Sequence, residues 1–156
     1  MSTKKEQEKK EKERKQQLEE AKTKKANCES AITQLQDTLR KNNDNLARLR
    51  TAKSQMETRE SLVWGKYISF KNYFQNTANY GMWNGNKQTE TQTYLLDTIA
   101  PKYNTYKSSI TVLIDEITRK ISQLESDNIR LTYSIVAKTT EMNQLTFQIC
   151  SLTQGE

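Results

Sequence analysis

Cys28 and Cys150 are the side chains of this 156-residue chain best suited to covalent or metal chemistry, and their setting supports neither. A thiolate nucleophile needs a neighbouring base or cation, and a zinc site needs paired ligands at short spacing. The two cysteines stand near opposite ends of the chain. Histidine, the commonest general base and metal ligand, is absent. Both thiols fall at apolar positions of helical patterns, where cysteine behaves as a small hydrophobe. The acids of ETQTYLLD and IDEI lie on helical stretches and read as solvated or salt-bridged faces. Without a Gly-rich phosphate loop or a nucleophile with its base, no catalytic residue, cofactor or metal is assigned. The expectation is a protein that is not an enzyme.

The remaining candidate chemistry is recognition. The hexapeptide GMWNGN, residues 81–86, holds two of the four glycines and one of the two tryptophans. Gly81 and Gly85 with Asn79, Asn84 and Asn86 supply the residues that accept a reversal of the chain. Trp83 adds an apolar ring able to cover the ends of two helices. Ten of the twelve aromatics lie between Trp64 and Tyr106. Trp64, Tyr67, Phe70 and Phe74 form an apolar face broader than one partner helix requires. It reads either as a thickened core where a hairpin closes or as a surface that anchors another protein, since Trp and Tyr dominate interface anchors.

Two long amphipathic segments must position these residues. In residues 18–63 one seam runs Leu18, Lys25, Ile32, Leu39, Leu46, Lys53, Glu60 and the other Ala21, Cys28, Leu35, Asn42, Leu49, Met56, Val63. The unbroken four–three spacing predicts a helix with one narrow packing stripe. Residues 103–152 repeat the pattern, with Tyr103, Ile110, Ile117, Leu124, Leu131, Lys138, Leu145, Leu152 beside Ile114, Ile121, Asn128, Ile135, Met142, Ile149. The fold class expected is all-α, a long antiparallel coiled-coil-like hairpin with a Trp-x-Gly turn and room for a short extra helix at the tip. Residues 1–17 form a charged helical extension or a disordered tail. Residues 18–156 form the hairpin, with an arm over 18–80, a turn over 81–86 and a returning arm over 87–153 that breaks or kinks near Pro101.

Composition narrows the function further. Hydrophobic residues make up 33% and the net charge is +6, most of it in the first 25 residues, where lysine and glutamate alternate. No aromatic precedes Trp64 and no cationic stripe is interleaved with rings, so nucleic acid is not an expected partner. No stretch approaches the length of apolar residues that crosses a bilayer, so no membrane insertion is expected. The N-terminal sequence has no apolar core of a secretory signal, so a cytoplasmic protein is expected. Peripheral binding of anionic surfaces through residues 1–25 ranks last among the readings.

Trp83 and Gly85, with the flanking heptads and YKSSITVLIDEITRKISQLESDNIRLTYSI, carry a resemblance. Over about residues 28–150 the chain resembles the WxG superfamily of small helical type VII secretion proteins. Within it, the chain looks like the longer helical proteins encoded beside LXG polymorphic toxins in Gram-positive bacteria. The resemblance implies a chaperone-like adaptor that binds the N-terminal helical domain of an LXG toxin and helps present it for export. A second small helical protein is a further implied partner, and co-secretion an implied fate. Trp83 and Gly85 map onto the family's recognition motif. One departure stands out: the superfamily's export signal pairs an aromatic with an acid four residues on, whereas Tyr94, Tyr133 and Phe147 meet Thr98, Ala137 and Ser151. A partner would then supply that signal. The alternative is a self-associating structural coiled coil or tether, because the same heptads permit a homodimer.

Polar seam residues predict how the arms align, because a polar group facing a polar group costs least. Opposed residue numbers summing to 180 or 181 place Asn42 against Lys138, Lys53 against Asn128 and Glu60 near Lys120. That register ends the arms near Asn79 and Pro101, with residues 86–100 crossing the tip, and brings Cys28 close to Cys150. The rival arrangement turns at Trp83–Gly85 and merely kinks the returning helix at Pro101.

Overall fold

The structure, a computed structural model, describes residues 2–76 and 85–154, with side chains from residue 4 onward. Three α-helices follow one another: α1 (Ser2–Gln75), α2 (Asn86–Tyr94) and α3 (Ala100–Thr153). A five-residue π turn, Leu95–Ile99, joins α2 to α3 without leaving helical geometry. The fold is the expected all-α helical hairpin. No described helix is long and apolar enough to cross a membrane.

The heptads explain which side chains face inward. Every seam position read from the two arms is buried or half-buried, including the polar ones. The charged head belongs to α1, exposed over residues 4–13. The chain divides into two compact units. In the unit Met1–Asn45 with Leu124–Glu156, Ala21, Cys28 and Leu145 form the core, and Met142 and Ile149 pack on it. In the unit Leu46–Gln123 the buried side chains are Leu46, Ala100, Ile110 and Ile114. Ala21 and Cys28 dominate the first set because two helices approach closely only where side chains are short.

In each unit the arms run antiparallel, but not in the register that the polar seam residues predict. In the first unit the Asn128 amide donates to Asn43 Oδ1 at 2.8 Å. In the second the Thr111 hydroxyl donates to Glu60 Oε1 at 2.6 Å. Both pairs have numbers summing to 171, a slip of nine from the expected 180. Asn128 therefore meets Asn43 rather than Lys53, and Glu60 meets Thr111 and Lys107 rather than Lys120, which is exposed. Lys53 and Lys138 turn to Glu57 and Glu141 on their own helices. That is the physical reason for the correction: half-exposed lysines find local acids and do not dictate alignment. Cys28 packs against Leu145 while Cys150 is exposed, and both are free thiols.

Past Gly85 the returning arm is continuous through Pro101, as in the rival arrangement, whose turn at Trp83–Gly85 falls largely outside the described residues. Residues 86–99 do not form a separate crossing helix: they run through the π turn into α3, and the Gln92 side chain donates to the Phe74 carbonyl at 2.8 Å. Pro101 explains the π turn. It has no N–H to give, and its ring would crowd the Asp97 carbonyl in a regular helix; widening the preceding turn by one residue relieves both problems. Ala100 N–H accordingly bonds the Leu95 carbonyl, five residues back.

Gly85 opens the returning arm with φ 118° and ψ −170°, a region that only glycine adopts without strain. Its carbonyl accepts from the Gln88 and Thr89 N–H groups at 3.1 and 3.2 Å. Gly81, Trp83 and Asn84 lie outside the described residues. Gly65, by contrast, is a helical residue of α1 with open space where a Cβ would stand. Gly85→Ala should lower stability by roughly 1–3 kcal/mol. Gly65→Ala should raise it by about 0.5–1 kcal/mol. Thermal unfolding followed by circular dichroism measures both. For the register, cysteines at 43 and 128 in a background lacking Cys28 and Cys150 should be bridged by a short bis-maleimide, and cysteines at 42 and 138 should not.

Candidate partner-binding surface

The end of α1 carries the broad apolar face that the sequence announces. Heptad positions Tyr67, Phe70 and Phe74 turn toward the returning arm and are half-buried. Tyr103 of α3 meets Tyr67 at 6.4 Å and Phe70 at 5.7 Å between ring centroids, and Phe70 meets Phe74 at 4.9 Å. These tilted contacts suit the ring quadrupoles better than face-to-face stacking. The three heptad aromatics thus serve the thickened core that the sequence allowed as one of two readings.

Their neighbours stand at the surface. Leu62, Trp64 and Tyr73 of α1 and Tyr106 of α3 are 61%, 43%, 53% and 55% exposed. Phe70, Tyr73, Tyr103 and Tyr106, with Leu62 and Lys66, line an open apolar groove of about 540 Å³. One wall is the aromatic core just described, so the groove floor is fixed by packing while its rim is exposed. Apolar grooves of this kind, with rigid rings at the edge, are what an amphipathic helix occupies.

Trp64 sits beside the groove, held by a small network. Its ring stacks on Tyr67 at 5.2 Å with 29° between planes. The Lys107 ammonium lies 5.0 Å from its ring centroid on one side and 3.7 Å from Glu60 Oε1 on the other. The cation is thus shared between a carboxylate and an indole, both of which favour it. Glu60 joins the site as the anchor of Lys107, a role different from the register function that the sequence suggests. Lys107 and Thr111 escaped the sequence reading. The available signal was their four-residue spacing on from Tyr103, which sets Tyr103, Lys107 and Thr111 on one face.

The remaining predicted positions do not gather into a site. Asn42 is half-buried in the seam beside the Asn43 that makes the cross-arm bond. Asn128 leaves its own Oδ1 buried without a hydrogen-bond partner. Gly85 acts through its backbone conformation, and Trp83 falls outside the described residues. Among the described residues no group of three or more His, Cys, Asp or Glu could hold a metal ion.

Cys28 is the one thiol with a distinctive environment. Burial, first, and then the negative charge of Glu141 push its pKa above the ordinary value of 9.0. Glu141 is itself held below the usual carboxylate range by its hydrogen bond and ion pair with Lys138, which rises in turn. A raised thiol pKa contributes stability that is complete below the unfolded thiol's value and is lost as pH rises through the folded one. At neutral pH a thiol reagent should modify Cys150 in the native protein and Cys28 only after unfolding, read by mass spectrometry. Above pH 9, Cys28→Ala should show a smaller fall in melting temperature than the native sequence.

A protein-family model described as YwqH-like matches residues 23–146. No curated protein and no solved structure matches the chain.

Proposed function

The chain belongs to the YwqH-like family, and from that premise we propose that it is a non-enzymatic adaptor for the N-terminal helical domain of an LXG toxin. YwqH-like proteins are associated with LXG toxin systems. The observation that carries the reading is the aromatic groove of α1 and α3, with a packed floor and exposed Leu62, Tyr73 and Tyr106 at its edge. A toxin helix seated there buries rings that are already half ordered, so little side-chain entropy is lost on binding. Lys66 on the rim gives a toxin acid a place to pair. In this reading Trp83 and Gly85 carry a resemblance to the WxG superfamily, and the partner supplies the acidic export signal that the chain lacks. Delivery to a type VII secretion system is then the biological use of the complex, and no cofactor takes part.

Co-expression with the LXG helical domain should yield one complex on gel filtration. Tyr73→Ser with Tyr106→Ser should weaken it at least about tenfold, as loss of hot-spot rings does, while the free adaptor keeps its helical circular dichroism and loses no more than about 4 °C of melting temperature, through the Tyr73–Phe74 ring contact. Recovery of the two chains apart at moderate salt would sink the reading. An affinity indifferent to both substitutions would move the partner elsewhere.

A further inference from the structure

The outer face of α3 carries a second heptad seam that the hairpin does not use. Ile129, Tyr133, Val136, Thr140, Asn143, Phe147 and Cys150 follow one another at four–three spacing, and every one is exposed. Ile129, Tyr133, Val136 and Phe147 are 58%, 72%, 58% and 77% exposed, the large apolar outliers of their unit. The α1 segment of the same unit has no such outlier among its described residues. At the head of the seam Ile129 and Tyr133 border an open groove of about 510 Å³ with Leu39 of α1. Strict spacing of this kind is what keeps one stripe facing another helix over several turns.

We propose that a second copy of this chain docks along this seam, parallel and in register, as a two-fold dimer. Three observations select a copy of itself. First, the face is nearly free of charge: residues 129–154 contain Arg130, Lys138 and Glu141 alone among Asp, Glu, Lys and Arg, and Lys138 already pairs with Glu141 at 2.7 Å. A chain of net charge +6 can approach its own copy here without like-charge repulsion, whereas a charged partner finds nothing to read. Second, the polar seam residues are self-complementary. A parallel, in-register pair sets Asn143 against Asn143 and Thr140 against Thr140, so each amide has a polar partner and each large apolar residue meets its own kind; the antiparallel pairing that opposes Thr140 to Asn143, with numbers summing to 283, sets Ile129 against Gln154 instead. Third, the area suffices. With about 150–250 Å² available from each aromatic, two rings and two branched aliphatics cover roughly 500 Å² per copy. The total of about 1,000 Å² reaches the lower bound for a specific interface. The same register sets Cys150 beside its counterpart.

Sedimentation velocity of the full chain across the micromolar range should show a monomer–dimer equilibrium. Mild oxidation should give a Cys150–Cys150 linked dimer, identified by peptide mapping, with Cys28 still a thiol. Tyr133→Ser with Phe147→Ser should keep the helical circular dichroism, weaken the dimer at least about tenfold and abolish the link. Should that double variant misfold, Phe147→Lys alone should give the same result. A chain that is monomeric throughout the range would overturn the proposal, as would a dimer unmoved by these substitutions. A dimer that these substitutions weaken but that never links through Cys150 would overturn the parallel register. Protection of Cys150 in a monomeric chain by the LXG domain would assign the seam to the toxin and equally overturn it.

Discussion

Two helices touching along one line can bury only so much, and the rest of the structure follows from that limit. Among the described residues no side chain falls below 2% exposure, and the most enclosed ones, Ala21, Ile110 and Cys28, still keep 2%, 3% and 4%. Each seam residue is dry on the side of its partner helix and damp at the margin. Stability is therefore spread over many modest contacts, with no interior large enough to shape a pocket. Whatever the molecule recognises has to be met on its outside.

The two units answer that limit differently. In the unit that includes the end of α1, rings replace aliphatics: Tyr67, Phe70, Phe74 and Tyr103 reach farther across the gap than leucine can, and the Glu60–Lys107–Trp64 network ties the flank. The result is a broad apolar surface with a firm floor. In the unit that includes the C-terminus the seam is lean, built on Ala21, Cys28 and Leu145, and the apolar excess sits on the far side of α3. One unit thus offers a groove and the other a stripe, which suit different kinds of neighbour. The charged pairs of α1, such as Lys15 with Glu11 and Lys22 with Glu19, lie within one helix and keep its outer face wet.

The inward faces were legible in the sequence because a seam repeats at a fixed period, and position alone decides burial: even Asn42, Lys53 and Glu60 sit where the heptad puts them. Alignment between arms was not legible. It depends on which long-range contacts win, and the seam lysines found acids on their own helices, as Lys53 did with Glu57. The aromatic groove was visible as composition but not as a division of labour between Tyr67, which reaches Tyr103 of α3, and Tyr73, which is more than half exposed. Lys107 was invisible because a lysine on a helix face carries no mark until the ring beneath it is known. Pro101 did announce an irregularity, and the structure shows that it falls in the turn before the proline.

That irregularity has an arithmetic side. Leu95–Ile99 holds one residue more than a regular turn would, and one residue is worth about 100° of rotation around a helix. Deleting any one of the five would swing α2, with Gln92 and Gly85, about a third of the way around the axis and away from the end of α1. The chain could tolerate many substitutions in this segment, yet its length is fixed to the residue. Descendants of this protein should therefore vary here in letters and not in count.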